Sequence, residues 1–190
     1  MKIIFSLISI SIMFFSCGPK FYSKKDYSFY DGKFVLDQNS PLQTDGFYVL
    51  ESNWSKTDDI STKPTSYQVY KFFNEGQSNV LLVDSLKKPE EYVVAMQKQI
   101  QEYGKNKNEY TLFQGYYKLQ ENKIIIQEVN AVLRQFSYRY GYVENNKLII
   151  VKTTTDGNGQ FNDKYFTDYF KSTYIFVPFE KAERELIPNW

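Results

Sequence analysis

The sequence predicts a mainly β fold: an antiparallel meander that forms a small barrel or a β-sandwich, with one or two short helices. Strand-type residues flank short polar breaks at three places along the chain. The chain also contains 17 Tyr and 16 Phe, and aromatic rings in such numbers are typical of strands and apolar cores. Helical periodicity is confined to one long and one short stretch, which leaves most of the chain to strands.

The three polar breaks predict three β-hairpins. The paired segments are 67–73 with 80–83, 110–119 with 123–129, and 133–143 with 147–153. Further strands are expected at 46–51 and 173–179. The segments 124–126 and 148–151 are apolar at every position, so both of their faces need cover from a second layer, a helix or a ligand.

One strand of the third hairpin carries a ladder of four rings: Phe136, Tyr138, Tyr140 and Tyr142. Alternate side chains of a strand point to the same face, so the four rings share one face. We expect that face to line an apolar ligand pocket inside the barrel, because a buried tyrosine hydroxyl needs a partner such as a ligand or water. The alternative is that the ladder is simple packing within the sheet.

Two of the three arginines, Arg134 and Arg139, lie on the same strand as the ladder. An arginine inside a barrel can hold a carboxylate, so Arg134 is included in the predicted ligand pocket. Arg139 has the opposite parity to the rings. We therefore expect Arg139 to face solvent.

Two helices are predicted between the strands. Pro89 suits a first helical turn, and an apolar stripe then recurs at helical spacing until Gly104 ends the helix. The stripe consists of Tyr92, Val93, Met96, Ile100 and Tyr103. A second, shorter helix is expected after the capping residue Asn162. Its inner face would carry Phe161, Tyr165, Phe166, Tyr169 and Phe170.

The N-terminus reads as an export signal. Lys2 precedes an apolar run of signal-peptide length, and Ser16 and then Cys17 end it. The segment Phe14-Phe15-Ser16-Cys17 resembles the lipobox of bacterial lipoproteins, although two phenylalanines stand where smaller residues are usual. The resemblance implies cleavage before Cys17 and a diacylglycerol on its sulfur, in the bacterial cell envelope and there on the outer membrane. The expected parts are a signal at 1–16, a lipidated tether at 17–30 and one β-rich domain at 31–190.

The second and third hairpins resemble one another. Gly115-Tyr116-Tyr117 followed by 122–126 matches Gly141-Tyr142-Val143 followed by 146–150. With the lipobox, these strand openings resemble the lipocalin-like domains found in many small bacterial lipoproteins. This resemblance covers about 42–179 and implies a small lipocalin-like barrel. No ligand residue of that family is carried over.

The composition excludes several functions. The chain has no histidine, which removes the usual general base and most zinc or iron sites. Removing Lys2 with the signal leaves a neutral chain, because the formal net charge is only +1, so we expect no nucleic-acid partner. No phosphate-binding or dinucleotide motif occurs, and no cofactor or metal is expected. The segment 156–160 has oxygen ligands at alternate positions but lacks the rest of a calcium loop, and reads as a turn.

We therefore expect a membrane-tethered domain, not an enzyme, that binds an apolar small molecule or a partner protein of the envelope. The alternative is a structural or assembly lipoprotein without a small-molecule ligand. A hydrolase that uses only carboxylates stays open as a third hypothesis, with Glu51, Asp84 and Glu128 as candidate acids. Asp84-Ser85-Leu86 also resembles a bacterial O-glycosylation motif, for which chance is the better interpretation.

Overall fold

A computed structural model of the chain describes residues 22–105, 113–130, 132–133 and 135–190. Nine strands and two α-helices lie within these ranges. The strands are β1 Gly46–Ser55, β2 Ile60–Thr62, β3 Tyr67–Phe72, β4 Gln77–Val83, β5 Gln114–Gln120, β6 Lys123–Asn130, β7 Gln135–Glu144, β8 Lys147–Thr154 and β9 Phe170–Pro178. The helices are α1 Pro89–Lys105 and α2 Lys181–Glu185.

Eight of the strands close into an antiparallel barrel. The hydrogen-bonded order runs β1-β3-β4-β5-β6-β7-β8-β9, and β9 pairs back onto β1 along almost the whole of both strands. The short β2 is the ninth strand and pairs only with the C-terminal part of β1. The predicted small barrel is confirmed, and the pairing of β1 with β9 excludes the sandwich because it joins the two edges of the sheet.

All three predicted hairpins are present, joined by turns that need left-handed backbone. Asn145 and Asn146 both have positive φ, at 51° and 60°, in the two-residue turn between β7 and β8. Two consecutive residues of this kind match the twist of the flanking strands, and asparagine tolerates the conformation better than most residues. The β3–β4 turn places Gly76 at φ 89°. The polar breaks thus set the register of the barrel.

One end of the barrel is closed by packed apolar groups. The three hairpin turns lie at this end, and Leu42, from the segment before β1, is buried in the interior cluster. The rings of Tyr48, Phe72 and Tyr117 fill the barrel above Leu42, with Phe72 within 5.7 Å of Tyr48 and 5.3 Å of Tyr117 between ring centroids. This half of the interior is a solid core. We call it the closed end.

Helices cover one outer side of the barrel. In α1, Tyr92, Val93, Met96 and Ile100 are buried against β1, β3 and β4, as the apolar stripe predicts. Ala182 and Leu186, from α2 and the residue after it, complete the same cluster. The predicted long helix is therefore confirmed. Its stripe member Tyr103 is not among the side chains that the structure describes.

The opposite outer side, formed by β5, β6 and β7, is covered by two segments that contain no α-helix. Tyr22, Tyr27 and Phe29 are buried there, together with Tyr165 and Phe166 from the segment before β9. The chain is thus packed on the barrel from Tyr22 onward, whereas the sequence predicted a tether as far as residue 30. The reason is that this part of the tether supplies rings that cover an apolar outer face.

The second predicted helix is shortened to one 3₁₀ turn, Asp163–Tyr165. Asn162 caps it as predicted, accepting a hydrogen bond from the backbone N–H of Lys164 at 3.2 Å. The helix does not continue because Phe170 begins β9, where it pairs with Ser55. Tyr169, expected on the inner face of that helix, is exposed. Strand pairing along all of β9 overrides the helical spacing of the rings.

Candidate functional site

The four-ring ladder of β7 lies on the outside of the barrel. Phe136, Tyr138, Tyr140 and Tyr142 share one face, as predicted, but that face belongs to the outer cluster covered by residues 22–30 and 161–166. The ring of Phe136 lies 4.6 Å from that of Tyr22 between centroids. The predicted ligand pocket inside the barrel therefore does not form around these rings.

The hydroxyl groups of Tyr138 and Tyr142 are bonded within the protein, whereas the buried hydroxyl of Tyr140 has no hydrogen-bond partner among the described residues. Tyr142 donates to the backbone carbonyl of Phe166 at 2.9 Å, and the Tyr138 hydroxyl accepts from Nε2 of Gln127 at 3.4 Å. For Tyr138 and Tyr142, protein groups thus replace the ligand or water that the tyrosines were expected to need. Tyr142 borders an outer cleft of about 510 Å³ that is lined largely by surface residues such as Lys56 and Asp168.

Arg139 faces the interior of the barrel and not the solvent. Its Nε donates to Oε2 of Glu128 at 2.7 Å. Glu128 in turn accepts a hydrogen bond from the hydroxyl of Tyr70 at 2.8 Å. Tyr70 is on β3 and Glu128 is on β6, so this contact crosses the barrel and shows that the pair points inward. The expectation of a solvent-facing Arg139 is wrong, because the outer face of β7 carries the rings.

Gln68 joins this group to the other wall of the barrel. Its Oε1 accepts from the hydroxyl of Tyr174 at 2.7 Å and from Nη1 of Arg139 at 3.4 Å. We call Gln68, Tyr70, Glu128, Arg139 and Tyr174 the polar cluster. It lies across the barrel from β3 to β6, β7 and β9, and forms the floor of the end opposite the closed end.

The polar cluster perturbs the acidity of its members. Burial disfavours the charged form of Arg139, but Glu128, Tyr70 and Tyr174 together outweigh it and raise the pKa of the guanidinium. Burial, opposed by the charge of Arg139, raises the pKa of Tyr174 to about 12. Burial likewise raises the pKa of Tyr70 well above its ordinary value. The cluster is therefore an ion pair held by neutral hydroxyl and amide groups at physiological pH.

A cleft of about 430 Å³ opens above the polar cluster, and we call this end of the barrel the open end. Gln68 and Arg139 form its floor. Its walls combine apolar and polar side chains from the ends of β1, β8 and β9 and from the segment before β3. These lining residues are Leu50, Asn53, Pro64, Thr65, Ser66, Ile150, Thr153, Phe170 and Ser172.

The cleft offers both hydrogen-bonding groups and apolar surface. The side chain of Arg139 is 23% exposed, and that of Glu128 only 10%. Within the described part of the chain, Nε and Nη1 of Arg139 have partners, whereas Nη2 has no hydrogen bond. A ligand oxygen can therefore bind at the free edge of the guanidinium while an apolar body lies on Pro64 and Phe170. The volume lies in the range of small-molecule sites.

The candidate acids of a hydrolase lie in different places. Glu51 forms an exposed ion pair with Lys147 at 3.4 Å on the outside of the barrel. Glu128 is the only one of the three in the polar cluster, where Arg139 and Tyr70 occupy both of its oxygens. Asp84 follows β4 and is exposed. The structure therefore does not bring these three acids together.

The described residues contain no group of three or more His, Cys, Asp or Glu side chains that could hold a metal ion. The segment 156–160, with its alternating oxygen groups, forms a tight turn. Gly157 and Gly159 have φ of 89° and 67°, and Gly159 lies directly against the ring of Phe29. The turn thus helps to hold the N-terminal segment on the barrel.

Two predicted site residues, Cys17 and Arg134, lie outside the described residues. Within the described ranges, no helix combines the length and the apolar character needed to cross a membrane.

Comparisons of the chain with protein-family models, with curated proteins and with solved structures found no match.

Proposed function

We propose that this protein is a lipid-anchored protein of the bacterial cell envelope whose barrel binds a small amphiphilic molecule at the open end. The observation that supports this most is the free edge of Arg139 at the floor of a cleft with partly apolar walls. The ligand places an oxygen acceptor on the guanidinium and an apolar portion on the cleft wall. The protein is a binding protein and not an enzyme.

The chemistry of the floor specifies what kind of head group fits. Arg139 is already paired with Glu128, so the two charges sum to zero. A carboxylate on the ligand would be attracted by the guanidinium of Arg139 but repelled by the carboxylate of Glu128. An uncharged acceptor, such as the carbonyl of an ester or an amide, gains the hydrogen bond without that repulsion. We therefore propose that the ligand has a neutral, oxygen-bearing head.

The cleft is a better candidate than the rest of the interior. Toward the closed end the barrel is filled by rings that are almost completely buried, including Tyr48, Phe72 and Tyr117. A ligand there would have to displace a packed core, which costs several kcal/mol for each large side chain. At the open end no such displacement is required.

The proposal is tested by photo-crosslinking with a methyl decanoate analogue that carries a diazirine on its acyl chain. The lipidated full-length protein in membranes should be labelled on peptides that contain Thr153 and Phe170. Replacing the ion pair with amides (Arg139→Gln with Glu128→Gln) should reduce this labelling about tenfold, which corresponds to the loss of one good hydrogen bond.

The matched control is the outer ion pair, removed by Lys147→Gln with Glu51→Gln. This control should leave labelling unchanged. The corresponding decanoic acid analogue should label less efficiently than the ester, because of Glu128. Equal labelling of wild type and the inner double variant would refute the binding site and favour a structural lipoprotein without a small-molecule ligand.

A further inference from the structure

The N-terminal segment joins the barrel at its open end. The ring of Tyr22 contacts that of Phe136, which is the second residue of β7. The hydroxyl of Tyr27 donates to the backbone carbonyl of Gln114, the first residue of β5, at 3.3 Å. β5 and β7 both begin at the open end. The chain then runs along the outside to Phe34, which contacts Tyr117 near the closed end.

This path limits how far the barrel can stand from a lipid on Cys17. Five residue steps separate Cys17 from Tyr22. A fully extended chain spans at most about 3.3–3.6 Å per residue, so the cysteine can lie no more than about 18 Å from Tyr22. This distance limit rests on the lipid anchor at Cys17, which is part of the proposed function. A short tether that starts at one end of the barrel keeps that end close to the membrane.

The open end is also where the exposed apolar side chains are concentrated. Val132 and Leu133, in the β6–β7 connection, are 91% and 57% exposed. Five more exposed large apolar residues lie in or beside the strand ends around the same opening. They are Ile60, Leu82, Leu86, Tyr169 and Phe170. Together with Val132 and Leu133, we call these residues the apolar rim. The remaining three of this kind in the described residues are Val35 and Ile187 toward the closed end and Val94 on α1.

We propose that the open end of the barrel docks on the lipid surface, with the tip at Val132 and Leu133 in contact with the acyl region. The tether and the apolar rim then act on the same face. Two signals of this kind, a lipid chain and an apolar contact, hold a protein more firmly than either does alone. Lys24 and Lys25 are exposed beside the point of entry and complement anionic head groups.

Docking in this orientation makes the membrane the source of the ligand. The cleft above Arg139 opens toward the bilayer, so an amphiphile can pass from the membrane into the cleft without crossing water. The ligand class is therefore a membrane lipid or a fragment of one with an ester or amide head. This orientation would hold even for a barrel whose cleft stays empty.

Single cysteines carrying a nitrobenzoxadiazole label test the orientation. Val132→Cys places the label on the rim, and Val35→Cys, 77% exposed in the native protein, is the matched control near the closed end. The lipidated full-length protein is reconstituted in vesicles of phosphatidylethanolamine and phosphatidylglycerol. The label at 132 should shift to shorter wavelength and be quenched at least twofold by lipids with doxyl groups on their acyl chains. The label at 35 should show neither effect.

A water-exposed label at 132, or stronger quenching at 35, would overturn the proposed orientation. Failure of the protein to float with the vesicles would overturn it as well, because the anchor would be missing. The wild-type protein should take up no label, since the sulfur of Cys17 is acylated. If the label at 132 is quenched, also in the double variant Arg139→Gln with Glu128→Gln, but the ester analogue does not crosslink, only the ligand site is rejected.

Discussion

Arg139 and Glu128 form an ion pair inside the barrel, with Nε 2.7 Å from Oε2. The two residues are on the neighbouring strands β7 and β6, two positions out of direct register, because Glu128 is opposite Ser137 and Arg139 is opposite Ile126. Tyr70 binds the second oxygen of Glu128, and Gln68 binds Nη1 of Arg139. A pair held in this way places a permanent dipole at the floor of the cleft. The same pair makes the fold sensitive to the loss of either charge.

Arg139→Gln alone should lower the free energy of unfolding by about 3 kcal/mol, because it leaves the buried carboxylate of Glu128 without its cation. The double change with Glu128→Gln should restore stability to within about 1 kcal/mol of wild type. Urea unfolding of the four proteins in a double-mutant cycle measures the coupling. The exposed pair Glu51–Lys147 should show a coupling below about 1 kcal/mol. Additive effects at 128 and 139 would contradict the described geometry.

Lys71 is a buried charge outside the polar cluster, and it predicts an unusual pH dependence. The side chain is 1% exposed, and its Nζ donates to the backbone carbonyl of Thr44. Burial lowers the pKa of Lys71 to about 8, while Glu183, Asp45 and Glu75 act in the opposite direction. Between pH 8 and the ordinary lysine range near 10.5, the unfolded chain therefore binds a proton that the folded protein has released.

The contribution of Lys71 to stability should consequently rise with pH in this window, by about 1.5 kcal/mol between pH 8 and pH 9.5. Urea unfolding at three pH values measures the rise, and Lys71→Met should abolish it. Lys98→Met, on the exposed face of α1, is the control and should keep the wild-type slope. Measurements should stay below pH 10. Burial raises the pKa of tyrosines such as Tyr48 in the folded protein, so at higher pH these tyrosines ionise first in the unfolded chain, and stability falls. An unchanged slope in Lys71→Met would show that another group is responsible.

The contact of Gly159 with Phe29 predicts a site where a single methyl group disrupts the N-terminal segment. Gly159 has φ of 67°, and a Cβ there would meet the ring of Phe29 and lie 2.9 Å from Tyr138. Gly159→Ala should cost about 2 kcal/mol or more and should speed proteolysis near residues 22–30. Gly32→Ala is the control, since its Cβ would meet only Tyr30, at 3.2 Å. It should change stability by less than about 1 kcal/mol. Equal effects of the two substitutions would contradict the packing at Gly159.

The fold could be predicted from local patterns, because each hairpin turn and the stripe of α1 is specified by residues close in sequence. The sequence also predicted that the apolar strands need cover on both faces. Ile124 and Ile126 indeed face the interior, whereas Ile125 lies in the outer cluster beneath the N-terminal segment. These patterns depend only on strand alternation and burial, so a single sequence contains them.

The orientation of β7 could not be predicted in the same way. The alternation correctly placed Tyr138 and Tyr140 on one face and Arg139 on the other. Apolar character normally identifies the inner face, but here the outer face is covered by residues 22–30 and the inner face carries the polar cluster. The partners of Arg139 are 11 residues away at Glu128 and 71 residues away at Gln68. The pairing of β6 with β7 brings Glu128 to Arg139, whereas only the closure of the barrel brings Gln68 to it.

The binding of a neutral amphiphile at the open end is tested most directly by native mass spectrometry of the lipidated full-length protein from the membranes of the organism that encodes it. We predict a second mass peak, above that of the lipidated protein, from one bound molecule with an ester or amide group. The peak should be lost in Arg139→Gln with Glu128→Gln and retained in Lys147→Gln with Glu51→Gln. A single unliganded mass for wild type, or a bound mass that the inner double variant retains, would contradict the proposed site.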